Sequence, residues 1–296
     1  MKKWTEQCCN RGFPFLLFIL SLSLWLWREK SSFHREDFPL PSLLGETAAL
    51  FDTVSDHVLE TALNQPYSFL GRGTEYEAFL SEDGKIVLKL FRLKPFRLVF
   101  FKKAFFSREE KPFFERLKEA RAKRIDRTLA SLFIAAQQLK EETALFYIHH
   151  PERERALPPI QIVDRVGKVH FIDPKKTPFI LQRRADLLFS HFLKKYLSKD
   201  FKGARASIDA LFCLIRERSL KEIGDRDLDL VRNFGFVGEK AVEIDLGSFF
   251  NNPHAKRGPS LKKELFYAML PLRNWLEDHW PEEVKYLDRQ MDEVHF

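Results

Sequence analysis

A lysine and a group of acidic and amide side chains are the residues of this chain best suited to chemistry. Lys89 lies within the apolar segment VLKL, and a buried ammonium group needs an anionic partner. The segment DRDLDLVRN, residues 225–233, combines carboxylates that could accept a hydroxyl proton with an amide that could bind Mg²⁺. The alternatives remain open: an edge-strand lysine that reaches solvent, and a solvated acidic loop.

Two turns that contain glycine accompany these residues. Gly71 and Gly73 stand between two predicted strands, where the lack of side chains lets backbone amides approach phosphates closely. Asp245 precedes Gly247 in IDLG, directly after an apolar strand. A strand-end aspartate in this position is a frequent metal ligand, although both features are also typical of ordinary turns.

Taken in chain order, the four segments resemble the motif set of the protein-kinase family. The RDL of residues 226–228 matches the catalytic loop of that family, and the DLG of residues 245–247 matches its metal motif with Leu in place of Phe. The resemblance implies a phosphotransferase that uses ATP and Mg²⁺. On this basis Asp227 would accept the proton of the acceptor hydroxyl, while Asn233 and Asp245 would hold Mg²⁺.

The same resemblance assigns residues to the nucleotide. Gly71 and Gly73 would cover its phosphates, and Lys89 would contact them. A helix glutamate should pair with Lys89. Glu119 is the first choice for that glutamate, with Glu115 and Glu141 as alternatives.

Several positions depart from the family pattern. Asp225 stands where the family has His, Asp229 where Ser/Thr kinases have Lys, and Tyr76 where the third glycine belongs. The segment after Asp245 lacks an APE motif and is short for a full helical lobe. The chain therefore resembles RIO-type and lipopolysaccharide-core kinases more than Ser/Thr protein kinases. A pseudokinase, which keeps the fold without turnover, is the alternative function.

The elements that must position these residues predict an α+β fold with two lobes. Residues 46–183 form an N-lobe with a leading helix over 46–64, an antiparallel sheet and a long helix. Its strands begin near Phe69, and turns are expected at Asp83-Gly84 and Gly167. The long helix starts at a capping box of Ser107 and Glu110 and runs to about Glu142.

Residues 184–296 predict a short, mainly helical C-lobe. Helices cover 184–220, a small hairpin turns at Gly238, and two final helices are broken by Pro271 and Pro281. Cys213 is expected in the core. The pair His149-His150 is expected at the surface, because no other metal ligand stands at a suitable spacing.

The N-terminal 30 residues predict a hydrophobic helix that anchors the chain or acts as an export signal. The apolar run Phe13–Trp27 spans about 22 Å as a helix, and no small-residue cleavage site follows it. Basic residues flank both ends, so the charge distribution does not fix the orientation. We expect a membrane-tethered domain in the cytosol, where ATP is found, with export as the alternative. Residues 31–45 would be a linker.

A second contact with the membrane is suggested by Phe91–Phe106, in which cations alternate with phenylalanines. Three interpretations remain: a segment at the bilayer interface, a surface for single-stranded nucleic acid, or core phenylalanines with solvated cations. The predicted anchor favours the membrane, and no specific nucleic acid is expected. The net charge of +7 suits an anionic partner, and three cysteines do not make a disulfide scaffold.

A third hypothesis is a membrane-bound interaction protein without a nucleotide site. The position of Lys89 distinguishes it from the other two. A nucleotide site requires Lys89, Asn233 and Asp245 to converge on one cleft, whereas the third hypothesis places the lysine in open solvent.

Overall fold

The computed structural model describes residues 42–92, 111–153 and 155–293. The predicted anchor Phe13–Trp27, the capping box of Ser107 and Glu110, and nearly all of Phe91–Phe106 lie outside these ranges. Among the described helices, none combines the length and the apolar character that crossing a bilayer requires.

The first half of the described chain builds a seven-stranded sheet. Its strands are β1 (Tyr67–Arg72), β2 (Tyr76–Ser81), β3 (Ile86–Phe91), β4 (Leu145–His149), β5 (Ile160–Val163), β6 (Val169–Ile172) and β7 (Phe179–Arg183). Their order in the sheet is β4-β7-β3-β2-β1-β5-β6. All neighbours are antiparallel except β1 and β5. The expectation of an antiparallel sheet is wrong at this one pair, because the chain crosses from β4 at one end of the sheet to the far side of β1.

Three predicted hairpin turns are confirmed by the strand pairings. Each has a glycine in the left-handed region of the backbone map, which residues with a Cβ seldom adopt. These glycines are Gly84, Gly167 and Gly238, with φ of 70°, 83° and 63°.

Two short helices precede the sheet in the chain, and a long helix follows its first three strands. The predicted leading helix over 46–64 is in fact two helices, α1 (Ser42–Ala49) and α2 (Asp56–Leu63). A turn separates them, and Ser55 caps α2 by accepting a hydrogen bond from the Val58 amide. The predicted linker also ends earlier than expected, since α1 already begins at Ser42. The long helix is present as α3 (Lys111–Gln138).

The second half of the described chain is mainly helical. Its helices are α4 (Leu188–Leu197), α5 (Phe201–Leu220), α6 (Leu230–Asn233), α7 (Gly258–His279) and α8 (Pro281–Asp292). Five short strands accompany them: β8 (Asp186–Leu187), β9 (Ile223–Asp225), β10 (Phe234–Val237), β11 (Lys240–Glu243) and β12 (Phe249–Asn251). The hairpin β10–β11 carries the turn at Gly238. The α+β class of the fold is therefore confirmed.

The break expected at Pro271 is wrong. Helix α7 continues through this proline and ends at His279, whereas Pro281 does begin a new helix. Met269 and Leu272, on either side of Pro271, are fully buried in the helical core. This packing keeps both turns in place although proline removes one backbone hydrogen bond.

Two predictions of burial are wrong. Cys213 is exposed and its thiol donates to Glu217, because it lies on the solvent side of α5. His149 and His150 are both buried, since His149 ends β4, a strand that the sequence pattern did not reveal, and His150 directly follows it. His149 Nε2 lies 2.9 Å from the Pro174 carbonyl oxygen, and burial lowers the pKa of this imidazole to about 4.

Candidate functional site

A cleft of about 930 Å³ lies between the sheet and the helical half of the chain. Strands β1 to β3 form its roof, and helix α3 contributes one wall. The segment of residues 183–187 connects the two halves along another wall. Loop residues after β9 and after β11 form the floor. Apolar side chains of the roof, connecting segment and floor provide a surface for a flat ring: Leu70, Ala78, Val87, Leu187 and Ile244.

Lys89 points into this cleft from β3. Its ammonium group donates to the Ile244 carbonyl oxygen at 2.6 Å and lies 5.8 Å from the centre of the Tyr76 ring. Burial lowers the pKa of Lys89 to about 8, while the nearby Asp245 carboxylate acts in the opposite direction. The hypothesis without a nucleotide site requires Lys89 to face open solvent. The structure contradicts that requirement, because the ammonium group lies inside the cleft.

Backbone and side-chain hydrogen bonds shape the loop after β9. Asp225 Oδ1 accepts from the Asp227 amide at 2.9 Å. The Asn233 side-chain amide donates to the Asp227 carbonyl oxygen, also at 2.9 Å, so that Asn233 Oδ1 remains to bind a ligand. Asp229 accepts from the amides of Val231 and Arg232 and thereby caps α6. These contacts place Asp227 and Asn233 at the floor of the cleft.

Asp245 follows β11 and is tied to the same floor. Its Oδ1 accepts from the Gly247 amide at 3.0 Å. Ile244, which precedes Asp245, contacts both Asn233 and Lys89. Its amide donates to the Asn233 carbonyl oxygen at 2.7 Å, and its carbonyl oxygen accepts from the Lys89 ammonium group. The backbone of one residue, Ile244, thus connects the Lys89 ammonium group with the backbone of Asn233 and directly precedes Asp245.

The cleft lining includes Gly73, Lys89, Asp227, Asn233 and Asp245 of the residues singled out from the sequence. Gly71 pairs with Ala78, which also lines the cleft. Glu119 does not belong to this group. It is exposed, and at 100° per residue it lies on the opposite side of α3 from Thr128, which lines the cleft.

Two neighbouring side chains at the floor of the cleft, Asn233 and Asp245, offer oxygen ligands for a hard cation. In the described ranges, no three histidine, cysteine or carboxylate side chains form a metal-binding group. Mg²⁺ is commonly held by one or two protein oxygens together with substrate phosphates and water. The residues present therefore fit Mg²⁺ bound along with a nucleotide.

Sequence reasoning missed the residues that α3 presents to the cleft. Arg124 and Thr128 line it, and Ser131, one further turn along, lies beneath it. Ser131 Oγ donates to the Leu246 carbonyl oxygen at 2.7 Å and accepts from the Phe249 amide at 2.8 Å. This hydroxyl holds the segment after Asp245 against α3. The spacing 124, 128, 131 marks one face of a helix and was the available signal.

The turn between β1 and β2 is closed over the cleft. The Gly73 amide donates to the Tyr76 carbonyl oxygen at 2.9 Å. Glu75, at the tip of the turn, accepts from the Arg124 guanidinium group through Nε at 2.8 Å and Nη2 at 2.6 Å. The position opposite the turn is therefore occupied by a helix arginine that binds the turn, and not by a glutamate that binds Lys89.

Tyr76 occupies the position of the third glycine in the kinase pattern. Its side chain is buried, and its hydroxyl group has no hydrogen-bond partner among the described residues. Burial, together with the carboxylates of Asp245 and Glu75, raises the pKa of this phenol. The ring lies under the turn, near Lys89 and the carboxylate of Asp245, where the phosphates of a nucleotide would pass.

A buried ionic cluster lies behind the loop after β9. Arg218 of α5 is almost inaccessible, with its Nε 3.1 Å from Glu243, its Nη2 2.5 Å from Glu264 and its Nη1 3.7 Å from Asp225. Burial raises the pKa of Glu243, and Arg218 opposes that effect. Since Asp225 also accepts from the Asp227 amide, the cluster supports the backbone of the loop that carries Asp227.

No known family model matches this chain, and no curated protein does. The solved structures that resemble it include WbdD, with 13% identity over 77% of this chain and a TM-score of 0.36. A structure described as the bifunctional kinase-methyltransferase WbdD is 13% identical over 75% of this chain, with a TM-score of 0.33. The LegK7 effector kinase of Legionella pneumophila is 13% identical over 83% of this chain, with a TM-score of 0.27.

The matched region spans 46%, 43% and 44% of those three chains. Because the TM-scores are low, the fold is assigned from the order of the elements in this chain and not from these matches. A glycine turn, a lysine on the third strand, a long helix, the RDL loop and the DLG segment follow in order around one cleft. The fold is kinase-like and divergent. Lys89, Asn233 and Asp245 line its cleft, whereas Glu119 does not.

Proposed function

We propose that this kinase-like domain binds Mg²⁺-ATP in its cleft and transfers the terminal phosphoryl group to an acceptor hydroxyl. The observation that carries this proposal is the backbone of Ile244, whose carbonyl oxygen accepts from Lys89 and whose amide donates to the Asn233 carbonyl oxygen, directly before Asp245. Cationic side chains outnumber acidic ones along the cleft, which favours a polyanionic ligand. The nature of the acceptor is left open.

Each residue would contribute positioning or charge. The Lys89 ammonium group would pair with nucleotide phosphates, and the apolar side chains of Leu70, Val87 and Ile244 would enclose the adenine ring. Asn233 Oδ1 and the Asp245 carboxylate would hold Mg²⁺, which supplies positive charge to the phosphates when bound. These contributions need no covalent intermediate with the protein.

Asp227 would take the proton of the acceptor hydroxyl. Its side chain is exposed, while its backbone is fixed from both sides by Asp225 and Asn233. The acceptor oxygen would form a bond to the terminal phosphorus as the bond to the bridging oxygen breaks, and ADP would leave. The carboxylate therefore only needs to be close to the hydroxyl and unprotonated.

A pseudokinase is the second candidate, and two observations favour it. Tyr76 fills the space beneath the glycine turn, and the Gly73 amide is already bonded within the turn. In addition, Arg124 binds Glu75 where the family pairs a glutamate with the lysine. Such a site would bind a nucleotide weakly or not at all until the turn moves.

Binding of nucleotide by the full chain tests both candidates. We expect ATP with Mg²⁺ to raise the unfolding temperature, and Lys89→Ala to abolish the rise. Lys85→Ala, an exposed lysine in the next turn, should retain it. No shift of the wild-type chain at millimolar nucleotide contradicts a nucleotide site. Phosphoryl transfer that disappears in Asp227→Asn would exclude the pseudokinase.

We further propose that the chain is membrane-tethered through Phe13–Trp27, with Phe91–Phe106 as a second contact and the cleft in the cytosol. Support for this proposal comes from the sequence: the apolar run, its basic flanks and the alternation of cations with phenylalanines. A tag at the C-terminus, tested for protease access in intact cells, should be protected if the domain is cytosolic.

A further inference from the structure

The hairpin β5–β6 extends the sheet beyond β1 and carries an exposed apolar surface. Val166 in its turn is 71% exposed, and Val169 and Phe171 on β6 are 48% and 69% exposed. Solvent-exposed valines and phenylalanines grouped on one hairpin are unusual unless the surface has a partner. We propose that this surface, defined by Val166, Val169 and Phe171, docks on an anionic lipid bilayer.

The charge around the hairpin suits that partner. Four exposed cations accompany the apolar side chains: Arg165, Lys168, Lys175 and Lys176. The same segment carries two aspartates, Asp164 and Asp173, so its exposed cations exceed its acids by two. Apolar side chains beside lysine and arginine are the combination that binds the interface of a bilayer with anionic headgroups.

Asp164 and Asp173 both accept hydrogen bonds from nearby backbone amides. Asp164 Oδ1 accepts from the amides of Val166 and Lys168, and its Oδ2 lies 2.9 Å from His170 Nε2. Asp173 accepts from the Lys175 amide and caps the short helix that follows β6. Both acids therefore fix the backbone of the hairpin, so the apolar and cationic side chains are presented on a rigid support.

The docking surface lies on the same face of the sheet as the roof of the cleft. Directly paired residues share a face. Val163 pairs with both Ser68 and Val169, Ser68 pairs with Leu80, and Leu80 pairs with Val87, which lines the cleft.

Since side chains alternate along β6, Phe171 shares this face with Val169. Docking would thus bring the cleft close to the bilayer surface, and an acceptor at the membrane interface would be within reach. This step rests on the proposed function, whereas the docking itself does not.

A protein strand is the competing partner, because β6 is one of the two edge strands of the sheet. Strand addition uses the backbone of β6 and does not need Val166, which lies in the turn, outside the strand. The apolar turn residue and the surrounding cations favour the bilayer.

A fluorescent probe that reports its environment distinguishes these partners in the full chain. Cys8, Cys9 and Cys213 are replaced by serine, and the probe NBD is attached after Phe171→Cys. The matched control carries the probe after Tyr267→Cys, at an aromatic residue of α7 that is 57% exposed. The vesicles contain phosphatidylcholine with or without phosphatidylserine.

We expect the emission of the probe at residue 171 to shift to shorter wavelength with phosphatidylserine vesicles, and the probe at residue 267 to stay unchanged. Arg165→Glu with Lys168→Glu should raise the lipid concentration for half the shift by at least about tenfold. If the probe at residue 171 keeps the emission wavelength that it has in water, the proposal is overturned and a protein strand is left as the partner. Equal shifts at both positions, or without phosphatidylserine, would also overturn it.

This experiment contains no nucleotide, so its failure differs from failure of the proposed function. If the blue shift is absent but ATP still stabilises the chain, only the proposed docking surface is contradicted. The reverse result would remove only the nucleotide site.

Discussion

Arg124 of helix α3 binds Glu75 at the tip of the β1–β2 turn, with 2.6 Å between Nη2 and Oε1. The kinase pattern has a helix glutamate that pairs with the strand lysine, whereas here the helix supplies the cation and the turn supplies the acid. Lys89 is left with a carbonyl oxygen and the nearby Asp245. The ion pair therefore closes the turn and leaves the lysine available to phosphates.

Glu75→Gln should increase affinity for ATP about two- to fivefold, which corresponds to the modest energy of a partly exposed ion pair. The change removes a negative charge close to Asp245 and releases the Arg124 guanidinium group towards the phosphates. Isothermal titration at low salt measures the affinity. Glu82→Gln, at an exposed position in the β2–β3 turn, is the control. Weaker binding by Glu75→Gln would mean that the acid assists the nucleotide.

Two tyrosines with opposite hydrogen bonding give a matched pair of stability predictions. The hydroxyl of Tyr76 is buried without a described partner, whereas that of Tyr67 donates to the Ala62 carbonyl oxygen at 2.7 Å. Tyr76→Phe should raise the free energy of unfolding by about 1 kcal/mol, since an unpaired buried hydroxyl is removed. Tyr67→Phe should lower it by about 1 kcal/mol.

Urea unfolding of both variants without nucleotide measures the difference. If Tyr76→Phe were destabilising by as much as Tyr67→Phe, the Tyr76 hydroxyl would have a partner in solution, and its role as a buried obstacle beneath the turn would be contradicted.

The pKa of Lys89, lowered to about 8 by burial, predicts how nucleotide affinity depends on pH. Phosphates bind the protonated amine, so binding takes up a proton once the free protein has lost it. Affinity should therefore be constant below pH 8 and fall above it, by at most about tenfold per pH unit.

Titrations with ATP between pH 7 and pH 9.5 test this sign. Lys89→Arg, whose guanidinium group stays charged throughout, should show a flat profile. A wild-type affinity that is unchanged up to pH 9.5 would place the pKa of Lys89 near its ordinary value.

The sequence was informative wherever function depends on residue type and order. Lys89, Asn233 and Asp245 stand in segments that resemble motifs whose chemistry limits the residues allowed, and the structure places all three in one cleft. The turns at Gly84 and Gly167 can also be predicted from the sequence, because a backbone with positive φ favours glycine.

Residues that depend on distant partners could not be predicted. Packing decides which face of α3 meets the cleft, and the sequence alone does not show it. From the sequence we therefore select Glu119, which points away from the cleft, and overlook the face that carries Arg124. The parallel pairing of β1 with β5 joins segments about 95 residues apart, and no local pattern encodes it. His149 and Cys213 were misplaced for the same reason, since burial depends on what covers a strand or helix.

Arg218→Met should lower the free energy of unfolding by about 3–5 kcal/mol, because it leaves Asp225, Glu243 and Glu264 without their common cation in the interior. Arg273→Met, which breaks a partly exposed pair with Asp288, should cost less than about 1 kcal/mol. Urea unfolding compares the two. Equal small effects would show that water or protonation relieves the three carboxyl groups, and the cluster would then not be what holds the Asp227 loop in place.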